Sequence, residues 1–499
     1  MKNIKLLMLM FVMLLGIACT KLEQNQRGAL NIESGAVNPA GLLQSAYESL
    51  NTPFQDQSRF WAAQEHTSDE AIGPTRGPDW DDNGVWRVLH SHTWNADHLF
   101  LRDTYRELLQ TQFAASSVLD KSPSAQQAAE ARFIRAFSMF AVLDGWDQVP
   151  FRSDLKDLKK LPETKKGVEA ANFIISELNA IINDLPNGPV IKANKNAARA
   201  LLMKLYLNKG VYTNRANPTF AAADMNQVIT LADQITGFSL TPNFYDNFSP
   251  DNSTKSTELI WALENTNGVR GGNNQSRWYC TLHYNQKPSG WNGFTTLSDF
   301  YNKFEATDKR RGDTYAGVTN VSGLRVGFLV GQQFDQNGVA LKDRSGAPLA
   351  FTPEVKLKET GSNLEVTGIR VIKYPPDYQK EFPSENEYVI FRYADVLLMK
   401  AEALLRTGNE PAARTIVNQI RAVRGATPLV TLTADNLLDE RGRELYWEGW
   451  RRNDLVRFGK FLAAWQEKAA STSERLLFPI PNEQLAVNPN LTQNPGYNR

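Results

Sequence analysis

The 499-residue chain has two cysteines, five histidines and no surplus of charge, and each shortage excludes something. Two cysteines cannot supply a typical structural zinc site. Fifty-five Lys and Arg against 54 Asp and Glu leave no basic excess for a nucleic-acid partner or an acidic membrane surface. Among so few histidines no H-E-x-x-H frame occurs, and the chain has no G-x-S-x-G nucleophile elbow. Aromatics, in contrast, are plentiful, with 11 Trp, 15 Tyr and 25 Phe, and most of them must fill the core.

The N-terminus reads as an export signal. Lys2 and Lys5 precede an apolar run over residues 6–17 that is shorter than the ~20 residues needed to span a bilayer. The run stops at Ala18-Cys19, so residues 1–18 are expected to be a lipoprotein signal peptide, with Cys19 lipidated after cleavage. Gly16 is a mild departure, since Leu is commoner there, and plain secretion is the alternative. Residues 19–35 are polar and read as a tether, leaving 36–499 as a single domain. With Cys19 lipidated only Cys280 remains, so no intrachain disulfide forms. Cys280, within WYCTL, reads as a buried small hydrophobe.

From Pro39 the pattern is helical: Leu42, Ala46, Tyr47 and Leu50 share one face. Residues 94–119 and 125–143 repeat the signal. Two later stretches read as helical hairpins, 196–209 with 220–235, and 393–406 with 410–424, the second joined by Thr407-Gly408-Asn409. This is the layout of a tetratricopeptide unit without strict 34-residue self-similarity. Between them, from about 240 to 390, the chain is loop-rich, and runs at 258–263 and 366–374 read as strands. A long irregular insertion in a helical scaffold is where function tends to sit.

Residues 75–94, TRGPDWDDNGVWRVLHSHTW, hold three tryptophans and two histidines. Asp79, Asp81, Asn83 and Gly84 spell the opening of an EF-hand loop, but the place of its bidentate Glu is His90, and position nine is the cation Arg87. The EF-hand reading therefore fails. No metal or cofactor is predicted, although a calcium ion held by Asp79, Asp81 and Asn83 in another geometry stays open. His90 and His92 alone are a weak zinc signal. Trp80 and Trp86 are left on a segment that helical periodicity does not claim. Indoles exposed on loops match the apolar faces of sugar rings, while Arg76, Asp79, Asp81, Asp82 and Asn83 offer partners for hydroxyls. A second cluster, residues 278–294, places Trp291 between Ser289-Gly290 and Asn292-Gly293. Farther on, Arg441, Glu444 and Glu448 fall on one face of an expected helix. They read as a structural ion-pair network in preference to an acid/base pair.

Together these segments resemble the SusD/RagB family of outer-membrane nutrient-binding lipoproteins. The resemblance runs from Cys19 through AEARFIRAFSMFAVLDGWDQVPF, AARALLMKLYLNKG, FRYADVLLMKAEALLRTG, VNQIRAVRG and ERGRELYWEGWRRNDLVRFGKF to the closing LFPIPNEQLAVNPNLTQNPGY. It implies a mostly α fold, with four tetratricopeptide-like helical pairs supporting a loop-rich ligand-binding half. It also implies an outer-membrane lipoprotein, anchored by lipid and facing the cell exterior, that binds oligosaccharides without catalysis. Its implied partner is a SusC-like, TonB-dependent transporter; some members take peptides instead, and some bind calcium near the ligand. By position, Trp80 and Trp291 are expected as stacking platforms, with Arg76, Asp81, Tyr284 and Asn292 making polar or edge contacts. Two further alternatives are a secreted all-helical glycoside hydrolase and a tetratricopeptide adaptor, the latter carrying its exposed aromatics in a helical groove.

Overall fold

The computed structural model describes residues 38–265 and 273–498. The signal peptide, Cys19 and the tether lie outside the described residues. Pro39–Arg499 forms one compact unit.

Ten helices frame it: α1 Pro39–Glu48, α2 Leu99–Leu119, α3 Ala125–Trp146, α4 Gly167–Ile181, α5 Lys195–Thr213, α6 Ala222–Asp233, α7 Tyr393–Arg406, α8 Glu410–Val423, α9 Ala434–Leu445 and α10 Arg451–Arg457. Helices adjacent in sequence pack as antiparallel pairs, α2 on α3, α5 on α6 and α7 on α8. The local chemistry explains the boundaries. Ser124 and Gln127 form a reciprocal capping box at the start of α3. The α7–α8 turn uses Gly408 at φ +85°, and the Asn409 side chain accepts a hydrogen bond from Ala412 N. In α8 the buried Ala413, Val417 and Ile420 recur at i, i+4, i+7 and meet Leu397, Leu398 and Ala401 of α7. From Phe133 to Trp146, α3 is buried on every side.

The hairpins fall where the sequence puts them, with two changes. Helix α2 starts at Leu99 instead of Trp94, because the His98 ring caps it by accepting from Leu101 N. Helix α9 stops at Leu445, and Trp447 (φ +60°) and Gly449 (φ +85°) turn the chain before α10. Glu448 therefore does not share a helical face with Glu444.

The two glutamates meet instead at a common arginine in the core. Arg392 Nη1 donates to Glu444 at 2.7 Å and its Nη2 to Glu448 at 2.8 Å. Glu444 also receives Arg424 at 2.8 Å and Arg310 at 2.9 Å, while Glu440 takes Arg310, Arg421 and Arg443. Burial works against the charged forms. The arginines outweigh it, holding Glu444 well below the usual carboxylate range and Glu440 down at about 2. A carboxylate saturated by guanidinium groups has no free lone pair for acid–base work, which supports the structural reading of this segment.

Among the described residues, the irregular half contains only short ladders. Leu259–Leu263 pairs antiparallel with Tyr388–Arg392, and Arg370–Ile372, shorter than the expected 366–374, pairs with Val326–Leu329. Thr75–Arg76 runs parallel to Lys358–Glu359. The C-terminal segment packs across the domain as expected: Phe478 lies 5.2 Å from the rings of both Trp94 and Trp146. Cys280 is buried and free, and burial pushes its thiol up.

Candidate functional site

The two tryptophan clusters form one place. Trp80 and Trp291, 211 residues apart, face each other at 6.3 Å between ring centroids, tilted by 49°, and Trp80 Nε1 donates to Trp291 O at 2.9 Å. Trp291 is the exposed member, at 53%. Its other side meets the Tyr279 ring at 4.5 Å. The rings open onto a cleft of about 400 Å³ lined also by Gln57, Asp79, Asp82 and Tyr284.

The arc is held in an unusual backbone. Trp80 (φ +58°), Asp82 (φ +40°), Asn83 (φ +54°) and Asn292 (φ +55°) are all left-handed, a conformation that L side chains rarely adopt. Strained residues of this kind cluster where surroundings over-determine them, often at functional sites. The surroundings are visible here. The Trp80 indole lies flat against Gly293, where a Cβ would come within 2.3 Å of the ring. Phe294 supports it at 4.9 Å, and Trp86 at 5.9 Å.

Of the polar residues expected at the site, Tyr284 reaches it, Arg76 and Asn292 lie beneath it, and Asp81 is not among the residues that line it. Tyr284 donates to Asp79 Oδ2 at 3.3 Å, and partial burial beside Asp79 pushes its phenol up. The Arg344 guanidinium sits 4.0 Å over the Tyr284 ring and pairs with Glu365 at 2.5 Å, which in turn meets His283 Nε2 at 2.8 Å. Asp81 is half-exposed and bound to Arg87 at 2.5 Å, a hydrogen bond that holds its carboxyl below the usual carboxylate range. Arg76 and Asn292 are buried, so the expectation of direct ligand contact is corrected for both. The Arg76 guanidinium donates to Leu364 O at 2.8 Å, to Thr367 O at 2.9 Å and to Gly293 O at 3.4 Å. Burial lowers it to about 10. Asn292 Oδ1 accepts from Arg370 Nη2 at 2.7 Å, and Arg370 also binds the carbonyls of Glu365, Thr367 and Gly368. These arginines staple residues 364–368 under the cleft.

Trp86 is corrected too. It is buried on a short helix, Val85–His90, with Nε1 donating to Asp82 Oδ2 at 2.8 Å. His90 and His92 spend their ring nitrogens on Ala71 O, Gln466 O, Thr67 O and Ser471 Oγ. Among the described residues no three His, Cys, Asp or Glu side chains converge as a metal site. Sequence reasoning missed Gln57, Tyr279 and Arg344. Tyr279 stood within the second aromatic cluster and could have been found there; the other two carry no local signal.

Comparison with known proteins follows the same outline. The SusD family model matches residues 257–497. The starch-binding protein SusD of Bacteroides thetaiotaomicron is 27% identical over 468 residues, covering 84% of this chain and 82% of its own. A SusD superfamily protein from Parabacteroides distasonis shares the fold with a TM-score of 0.71 at 20% identity, over 92% of this chain and 98% of its own. Surface glycan-binding protein A from Bacteroides thetaiotaomicron, solved with laminarihexaose, gives a TM-score of 0.64 at 17% identity, over 91% and 98%.

Proposed function

This chain belongs to the SusD/RagB family, and from that premise we propose that it is a lipid-anchored cell-surface protein that captures an oligosaccharide and hands it to a SusC-like, TonB-dependent transporter in the outer membrane. The observation that carries the reading is the convergence of Trp80 and Trp291 on one open cleft. Indole faces offer sugar rings an apolar surface, worth ~1–3 kcal/mol per ring by analogy with base stacking. Asp79, Tyr284 and Gln57 rim the cleft with groups that bind hydroxyls. Two faces tilted by 49° suit a chain that turns, such as a helical glucan, better than a flat one. Relatives named for starch and for laminarihexaose support the same ligand class.

The peptide alternative would favour an open strand edge offering backbone donors, whereas this cleft is lined by Trp80, Trp291 and Tyr284. The reading is of binding without cleavage; in its support, Glu440, Glu444 and Glu448, the acid/base candidates of the sequence, are held in ion pairs. Affinity electrophoresis through starch, laminarin and an array-selected glycan tests the site. Wild-type protein should be retarded by at least one of them, and Trp80→Ala/Trp291→Ala should migrate freely. Equal retardation of the double variant would sink the site assignment, and no retardation by any glycan would sink the ligand class. Reducing-sugar release should be nil.

A further inference from the structure

Asp82 belongs to two hollows. On one side it lines the Trp80–Trp291 cleft; on the other it lines a second cavity of about 550 Å³, walled by Asn83, Val85, Val88, Leu99 and Phe100. Both volumes fall within the range of about 300–1,000 Å³ usual for small-molecule sites. The short helix Val85–His90 explains the arrangement. It turns Trp86 toward the first hollow and Val85 and Val88 toward the second, and the left-handed Asp82 and Asn83 form the crossing between them.

The second cavity is built like the first, from apolar faces with a polar rim. Leu99, at the start of α2, is an apolar side chain left 46% exposed. The same cavity is lined by Asn95 and by the exposed Asn83, whose backbone is left-handed. Of the Asp82 carboxylate, Oδ2 is engaged by Trp86 Nε1. The cavity therefore offers apolar and hydroxyl-binding surface that meets the cleft at Asp82, on the side the next units of a glycan chain would take.

We infer that this cavity is a second subsite, taking the continuation of the same oligosaccharide past Asp82, so that the protein selects for chain length as well as for sugar. The inference rests on the glycan reading above. Two substitutions separate the hollows. Leu99→Glu places a carboxylate in the second cavity while suiting the first turn of a helix. Asn83→Gly removes the side chain but keeps the left-handed backbone.

The test is calorimetric titration with linear maltooligosaccharides and laminarioligosaccharides, from disaccharide to heptasaccharide. In the wild type, affinity should go on rising beyond the lengths that fill the first cleft, by about tenfold overall. Both variants should flatten that rise, and Leu99→Glu should leave the shortest binding ligands unchanged. A wild-type plateau at the shortest binding ligand, or variants that follow the wild type at every length, overturns the second subsite while leaving the glycan reading intact. If neither ladder nor any polysaccharide binds, both fall together.

Discussion

Gly293→Ala isolates the mechanism that holds the aromatic arc. The backbone of Gly293 is not in the left-handed region, so alanine is allowed there, and the only consequence of its Cβ is steric. That Cβ would stand 2.3 Å from two ring carbons of Trp80, against a normal carbon–carbon contact of about 3.5–4.0 Å. The indole must therefore retreat by ~1 Å or more. Retreat stretches the 2.9 Å bond to Trp291 O and loosens the packing on Phe294. Overpacking of this kind destabilises by about 1–3 kcal/mol, and the hydrogen bond adds about 1 kcal/mol. In a Trp80→Ala background the clash partner is gone, so Gly293→Ala should then be nearly neutral. The cycle thus predicts a coupling energy of about 2–4 kcal/mol between the two positions, measured by urea unfolding without any ligand. Glycan affinity should follow the same pattern, with the double variant no weaker than Trp80→Ala alone. Additive effects on stability would refute the proposed contact.

Two further predictions concern the charged core. Glu444→Gln leaves Arg310, Arg392 and Arg424 with an uncompensated site, and removing one partner of a buried pair typically costs about 3–5 kcal/mol; a urea midpoint equal to that of the wild type would contradict the network. The second concerns the buried carboxyls of Glu65 and Glu70, which share hydrogen bonding beneath Trp447, with burial pushing Glu65 up to about 7. A raised folded-state value means that the native protein holds a proton the unfolded chain has released, so this contribution is complete below about pH 4 and lost as pH rises through about 7. Glu65→Gln, whose amide can donate where the shared proton sat, should flatten that part of the stability–pH curve; an unchanged slope between those limits would argue against proton sharing.

The parts of the fold legible in the sequence are those decided locally. The α7–α8 hairpin could be read because its apolar period, Gly408 and Asn409 all lie within one window. Trp80 and Trp291 could be read as two halves of a surface because each sits among turn residues that no helix claims. What failed was decided at a distance. Arg76 looked like a ligand contact because it stands four residues from Trp80, yet residues 364–368 are folded over it. Trp86 looked exposed because its helix is six residues long, too short to show a period. The break after Leu445 was hidden by a run of charge that continues a helical pattern through Glu448. Gln57 and Arg344 reach the cleft region from loops whose local composition says nothing about where they end.

The burial of Arg76 also explains how an irregular half-domain keeps a defined cleft. Loops without long ladders leave carbonyl groups that must be satisfied some other way. Here the satisfaction comes from guanidinium groups, whose five donors in a rigid fork can serve several carbonyls at once. Arg76 ties Leu364 and Thr367 to Gly293, and Arg370 ties Glu365, Thr367 and Gly368 to Asn292. Gly293 is the surface on which Trp80 rests, and Trp80 is bonded to the carbonyl of Trp291. A continuous chain of contacts thus runs from a buried cation to the exposed indole, and the left-handed backbone at Trp80 and Asn292 is held in place by it. Arg76 serves the cleft by positioning Gly293 and, through it, the indole, because a platform preset before binding loses less entropy when a ligand arrives than one ordered by it.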